Sequence, residues 1–204
     1  MWNDTVIEAV RRAESELDLS EMGLGRFDIT DEPARRRALD GIIGALKYLQ
    51  PAERERKAAR IGERVGKQLP AELMLSEAGV RQLEAMGIAV GAHTLSHPIL
   101  TELNEAEAER EISASKAALE AISGTPVALF AYPNGKPVKD YRRVHVEMVR
   151  RAGFQAAVSS AWGVCRVSSD RFQLPRMRPW ERSAPRFAGR LLYTRRAASK
   201  EETA

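Results

Sequence analysis

The chain has 204 residues, enough for one domain or a large part of one, and its 44% hydrophobic content allows a packed core. A net charge of +4 comes from basic and acidic residues that interleave, as in Glu53-Arg54-Glu55-Arg56 and Glu109-Arg110-Glu111, which reads as solvated helix faces. One cysteine, Cys165, excludes an internal disulfide and a Cys-rich zinc motif, and no apolar run approaches the ~20 residues of a membrane span. Asp4 and Glu8 stand where a secretory signal would be basic and then apolar, so the expectation is a soluble chain, cytoplasmic by default. Basic residues do not cluster with aromatics, so no nucleic-acid partner is expected.

The first third reads as helical. Asp4 is placed to cap a helix running to about Leu17, with Val6, Ile7 and Val10 on one side. Residues 19–30 read as a linker containing Gly23 and Gly25. Asp31 and Pro33 open a second helix carrying Leu39, Ile42, Ile43 and Leu46. Pro51 starts a third, highly charged helix that ends near Pro70. No strand is expected before residue 87.

The pattern then changes. Ser76 can cap a helix containing Val80, Leu83 and Met86, and Gly87 suits its end. A strand over 88–92 leads into a loop with two histidines. Asn104 can cap a long helix in which Ala108, Ile112, Leu119 and Ile122 recur at helical spacing. A strand over 127–131, a helix over 141–152, a strand over 154–159 and a last strand over 172–174 follow. Alternating strands and helices imply a parallel sheet with crossover helices. Three regions result: a helical region over 1–70, read as an insertion or lid, an α/β region over 71–194, and a disordered tail over 195–204.

Three motifs follow the ends of these strands, the edge at which α/β folds build active sites. The first is Gly91-Ala92-His93-Thr94-Leu95-Ser96-His97-Pro98. Two imidazoles four residues apart can reach one divalent metal ion. Thr94 and Ser96 can supply supporting hydrogen bonds, and Pro98 stiffens the loop. Alone, such a pair is also compatible with two hydrogen-bonded structural histidines. The second motif is Phe130-Ala131-Tyr132-Pro133-Asn134-Gly135. It reads either as a plain turn or as a rigid loop whose backbone N–H groups stabilise an oxyanion, with Tyr132 offering a face to a sugar. The third is Leu174-Pro175-Arg176, leading to Trp180. An arginine there can bind substrate and a tryptophan can pack on sugar rings; a surface arginine and a core tryptophan are the plain alternatives.

Taken together, in this order, the motifs resemble those of the polysaccharide deacetylase family of carbohydrate esterases, over roughly residues 73–180. The histidine stretch is similar to that family's H-[ST]-x-x-H-P motif, and Phe130–Gly135 to its groove-lining loop. The resemblance implies a distorted (β/α) barrel. It also implies a divalent metal, usually zinc, on two histidines and an aspartate, and hydrolysis of N-acetyl groups on a polysaccharide or oligosaccharide. Carried onto this sequence, His93 and His97 match the metal histidines and the Asn134 backbone N–H the oxyanion donor. Arg176 matches a site-lining arginine more loosely, while Tyr132 and Trp180 are candidates to contact substrate.

The family's opening Thr-Phe-Asp-Asp-Gly motif, which supplies the third ligand and the general base, has no counterpart here. Asp-Asp occurs nowhere in the chain, and Asp28 and Asp31 read as a turn and a helix cap. Three or four strands do not close a barrel of about eight. The sequence is therefore expected to hold the C-terminal part of a deacetylase domain, a partial barrel impaired in activity, with the missing strands and aspartates expected before Met1. The alternative is a non-catalytic, degenerate barrel that binds glycan or a protein partner.

Overall fold

The structure is a computed structural model that describes residues 1–66, 70, 73–177, 181, 183–196 and 203–204. The chain divides into two compact units, Met1–Ser76 and Glu77–Ala204.

The first unit contains helices α1 (Trp2–Arg12), α2 (Glu32–Leu46) and α3 (Pro51–Val65) and a hairpin of β1 (Glu16–Asp18) and β2 (Arg26–Asp28). The hairpin corrects the expectation of no early strand. It also explains why α1 stops at Arg12 instead of reaching Leu17. Glu16-Leu17-Asp18-Leu19 alternates polar and apolar residues, and Leu17 and Leu19 are buried. The intervening turn needs positive φ at Gly23 (74°) and Gly25 (84°), which glycine adopts freely. The expected start of α2 is present: Asp31 Oδ1 accepts the Ala34 N–H at 2.7 Å, with proline in the first turn. Asp28 Oδ1 accepts the N–H and the hydroxyl of Thr30, closing a turn. Both aspartates thus hold local backbone. Val6, Val10, Ile42, Leu46 and Ile61 meet in this unit's core.

The second unit contains α4 (Glu77–Ala85), α5 (Glu105–Ser123), β3 (Leu129–Ala131), α6 (Arg143–Arg151), β4 (Ala156–Val158) and α7 (Ala184–Arg196). Gly87 ends α4 at positive φ, with Ile88 N–H donating to the Leu83 carbonyl and Gly87 N–H to that of Glu84. Asn104 and Glu107 cap α5 reciprocally, each side chain accepting the other's backbone N–H. The sheet is parallel and runs in chain order. Ala92 bridges Phe130, β3 pairs with β4 in the register Phe130 to Ala157, and Leu174 bridges Val158. The outer two segments are single bridges, shorter than the strands expected over 88–92 and 172–174. Among the described residues these four segments do not close into a barrel.

Side chains alternate across this sheet. Ala92, Phe130 and Ala157 belong to the core formed with Ile112 of α5 and Val146 and Val149 of α6. On the opposite face, Gly91, Leu129, Ala131, Ala156, Val158 and Leu174 line an apolar hollow of about 230 Å³, with His93 on its wall. Of the tail expected to be disordered, Arg195 and Arg196 end α7 and residues 197–202 lie outside the described residues. Ala204 donates its N–H to Gln173 Oε1 at 2.7 Å. No described helix is long and apolar enough to cross a membrane.

Candidate functional site

The loops that follow Ala92, β3, β4 and Leu174 leave the sheet at the C-terminal ends of its parallel segments. His93 extends from the Ala92 bridge, and its Nδ1 lies 2.6 Å from the carbonyl oxygen of Ala131, the last residue of β3. A carbonyl only accepts, so Nδ1 carries the proton and Nε2 is left with its lone pair. This is how a second partner orients a metal-binding imidazole. Packing behind the ring holds the His93 pKa below its usual value. The Ala131 carbonyl opposes that shift, and the Arg176 cation adds to it.

The His97 ring stands edge-to-face against His93, with centroids 4.7 Å apart at 74°. The loop that brings them together is unusual. Thr94 (φ 61°) and His97 (φ 56°) both occupy the left-handed region without being glycine. The Thr94 hydroxyl donates to the His93 carbonyl at 2.6 Å and accepts the His97 N–H at 3.1 Å. Glu111, from α5, accepts the N–H groups of Leu95 and Ser96 on Oε2, at 2.8 and 2.9 Å, and the Ser96 hydroxyl on Oε1, at 2.6 Å. Thr94 thus braces the loop's backbone, and Ser96 ties it to Glu111.

Glu111, part of an interleaved charge run, is half-buried on α5, and its carboxylate is taken up by the histidine loop. The available signal was its position among Ala108, Ile112 and Ser115, the stripe of α5 that is buried. Beside that stripe, its carboxylate meets the histidine loop.

Asn134 also adopts positive φ (56°) just beyond β3. Gly135 follows at 71°, and a Cβ there would come within 2.9 Å of the Tyr132 carbonyl oxygen and 3.0 Å of the Ser160 nitrogen. The two loops are tied by the Ser160 N–H, which donates to the Gly135 carbonyl at 2.7 Å. Tyr132 is not where a sugar-facing residue belongs. It is fully buried, stacks on Tyr141 at 3.9 Å and 7°, and donates its hydroxyl to the Phe172 carbonyl at 3.0 Å. Its alternation puts it on the helix-covered face with Phe130. Arg176 anchors to this edge, its Nε donating to the Ser159 carbonyl at 2.6 Å and its N–H to that of Ala161. Trp180 lies outside the described residues.

The third histidine, His145, is structural. Its Nδ1 accepts the Arg142 N–H at 3.0 Å at the start of α6. Burial, and then the Arg142 cation, push its pKa down to about 4.

As a metal site the arrangement is half complete. The two imidazoles are of the right type and close together, but among the described residues no group of three His, Cys, Asp or Glu side chains could hold an ion. The donor set present therefore fits two positions of a metal site and no more.

Comparison with known proteins gives the family and the fold. The polysaccharide deacetylase family matches residues 45–157, a little over half of the chain. The match begins at the end of α2 and stops within β4, before Leu174-Pro175-Arg176. Among solved structures, the Streptococcus pyogenes deacetylase PplD, in complex with acetate, is similar at 21% identity and a TM-score of 0.54, over 61% of this chain and 52% of that one. BA0330 of Bacillus anthracis, a candidate polysaccharide deacetylase, is similar at 21% identity and a TM-score of 0.50, over 67% of this chain and 47% of that one. The chain spans about half the length of these solved relatives, and the likeness to them is one of fold. No curated protein matches the sequence.

Proposed function

The chain belongs to the polysaccharide deacetylase family, and from that premise we propose that it serves removal of N-acetyl groups from a glycan, with a divalent metal held in part by His93 and His97. Zinc is the first candidate, because two neutral imidazoles suit it. The observation that carries the reading is the 2.6 Å contact of His93 Nδ1 with the Ala131 carbonyl, which leaves Nε2 as the ligand atom beside the His97 ring. When bound, the metal would supply polarisation of the amide carbonyl and activation of water.

The chain's own residues bind, orient and stabilise. His93 and His97 bind and orient the ion. The Asn134 N–H, in a loop that Pro133 stiffens and the Ser160 N–H ties through the Gly135 carbonyl, is the donor proposed for the developing oxyanion. Arg176 adds positive charge near His93 and attracts the oxygens of substrate or released acetate. The four parallel segments are part of a distorted (β/α) barrel, and the first unit is an added helical region. The described residues include no third ligand and no carboxylate base for the pair, so the chain by itself is proposed to be weak or inactive.

The same gap favours a second reading, a non-catalytic family member that binds glycan or a protein partner. Zinc content together with acetate release from N-acetylglucosamine oligomers separates the two. Stoichiometric zinc with acetate release abolished by His93→Ala supports a hydrolase. Glycan binding with neither zinc uptake nor acetate release supports the second reading.

A further inference from the structure

We infer that Glu111 is the positioning residue of the histidine pair: its carboxylate fills a backbone nest between His93 and His97 and so fixes the spacing of the two imidazoles. What this means for a bound cation rests on the metal reading above, whereas the effect on the loop does not.

A left-handed residue such as Thr94 turns the following amides to one side, and successive N–H groups in that conformation form a concavity that takes an anion. The Leu95 and Ser96 amides converge in this way, and the anion they meet is Oε2 of Glu111, at 2.8 and 2.9 Å. Oε1 takes the Ser96 hydroxyl at 2.6 Å. One carboxylate thus makes three bonds to the residues midway between the histidines.

The side chain at the loop's centre does not hold its shape. Leu95, at its centre, is 61% exposed. Two left-handed non-glycine residues within four positions persist only where the surroundings over-determine them. The Glu111 backbone supplies that rigidity, because it lies on α5 beside Ala108 and Ile112, whose side chains are fully buried in the core. The carboxylate therefore transmits the position of the helix to the loop, and the loop to the rings at 4.7 Å.

The test uses the full chain, Co2+ as the probe, and three variants. Glu111→Gln can keep an acceptor oxygen on both amides and turn its NH2 toward the Ser96 oxygen. Glu111→Ala removes all three bonds, and Glu111→Asp keeps the charge but falls short by one methylene. Hydrogen exchange at Leu95 and Ser96, read without metal, is expected to speed up about tenfold or more in the Ala and Asp variants, and to stay near the parent value in Gln. Co2+ affinity is expected to fall about 10- to 100-fold in the first two, with a changed visible spectrum, and to recover in Gln. Unchanged exchange in both Ala and Asp overturns the inference, as does a Gln variant that behaves like Ala. If exchange responds as expected but the parent takes up no Co2+, the metal reading fails and the role of Glu111 in shaping the loop stands.

Discussion

His93 Nδ1 and the Ala131 carbonyl oxygen stand 2.6 Å apart, joining the first loop of the sheet to the last residue of β3. This contact dictates a tautomer. In the metal-free protein above the depressed pKa of His93, the ring is expected to carry its proton on Nδ1. Nitrogen-15 shifts of the imidazole read this directly, and a ring protonated on Nε2 would remove the reason for assigning that nitrogen to a metal.

Gly135 tests the loop beyond β3. Its positive φ and the two backbone atoms about 3 Å from a would-be Cβ leave no side chain to swing aside. Gly135→Ala is expected to cost at least about 2 kcal/mol, seen as a lower denaturation midpoint at unchanged slope. A midpoint equal to the parent's would mean the loop is free to rearrange.

Tyr132 separates a core ring from a substrate ring. Tyr132→Phe keeps the stack on Tyr141 but orphans the buried Phe172 carbonyl, at an expected cost of about 1–2 kcal/mol. Binding of N-acetylated oligosaccharide is expected to be unaffected. Lower glycan affinity at unchanged stability would return the ring to the site.

His145 gives the fold a pH dependence. Its folded pKa of about 4 lies below the unfolded value of 6.5, so the unfolded chain takes up the proton first on acidification. The stability from burying the neutral ring is complete above about pH 6.5 and is lost as pH falls toward 4, by up to about 3 kcal/mol. His145→Asn keeps an acceptor for the Arg142 N–H and is expected to flatten that slope in urea titrations at pH 7 and pH 5. Parallel losses in parent and variant would assign the acid sensitivity elsewhere.

Much of this was legible in the sequence for physical reasons. Capping residues act locally, so Asp31, Asn104 and Gly87 marked helix ends correctly. Apolar strands between helices gave the parallel sheet, and the histidine and Pro-Asn-Gly loops fell at its C-terminal edge. What escaped depended on contacts distant along the chain. The β1–β2 hairpin was hidden because three-residue strands carry little periodicity. Tyr132 looked like a loop residue because its motif neighbours are turn formers, yet the pleat continues through it into the core. Glu111 belonged to an interleaved charge run, and the packing of α5 against the preceding histidine loop shows what its carboxylate meets.

The central claim is that His93 and His97 act together on one divalent metal ion. Co2+ titration of the full chain, followed in the visible, tests it most directly when repeated on His93→Ala and His97→Ala. The account predicts saturable uptake of one ion per chain, with a spectrum of nitrogen-ligated cobalt that either substitution abolishes. No uptake, or uptake that survives both substitutions, would contradict it.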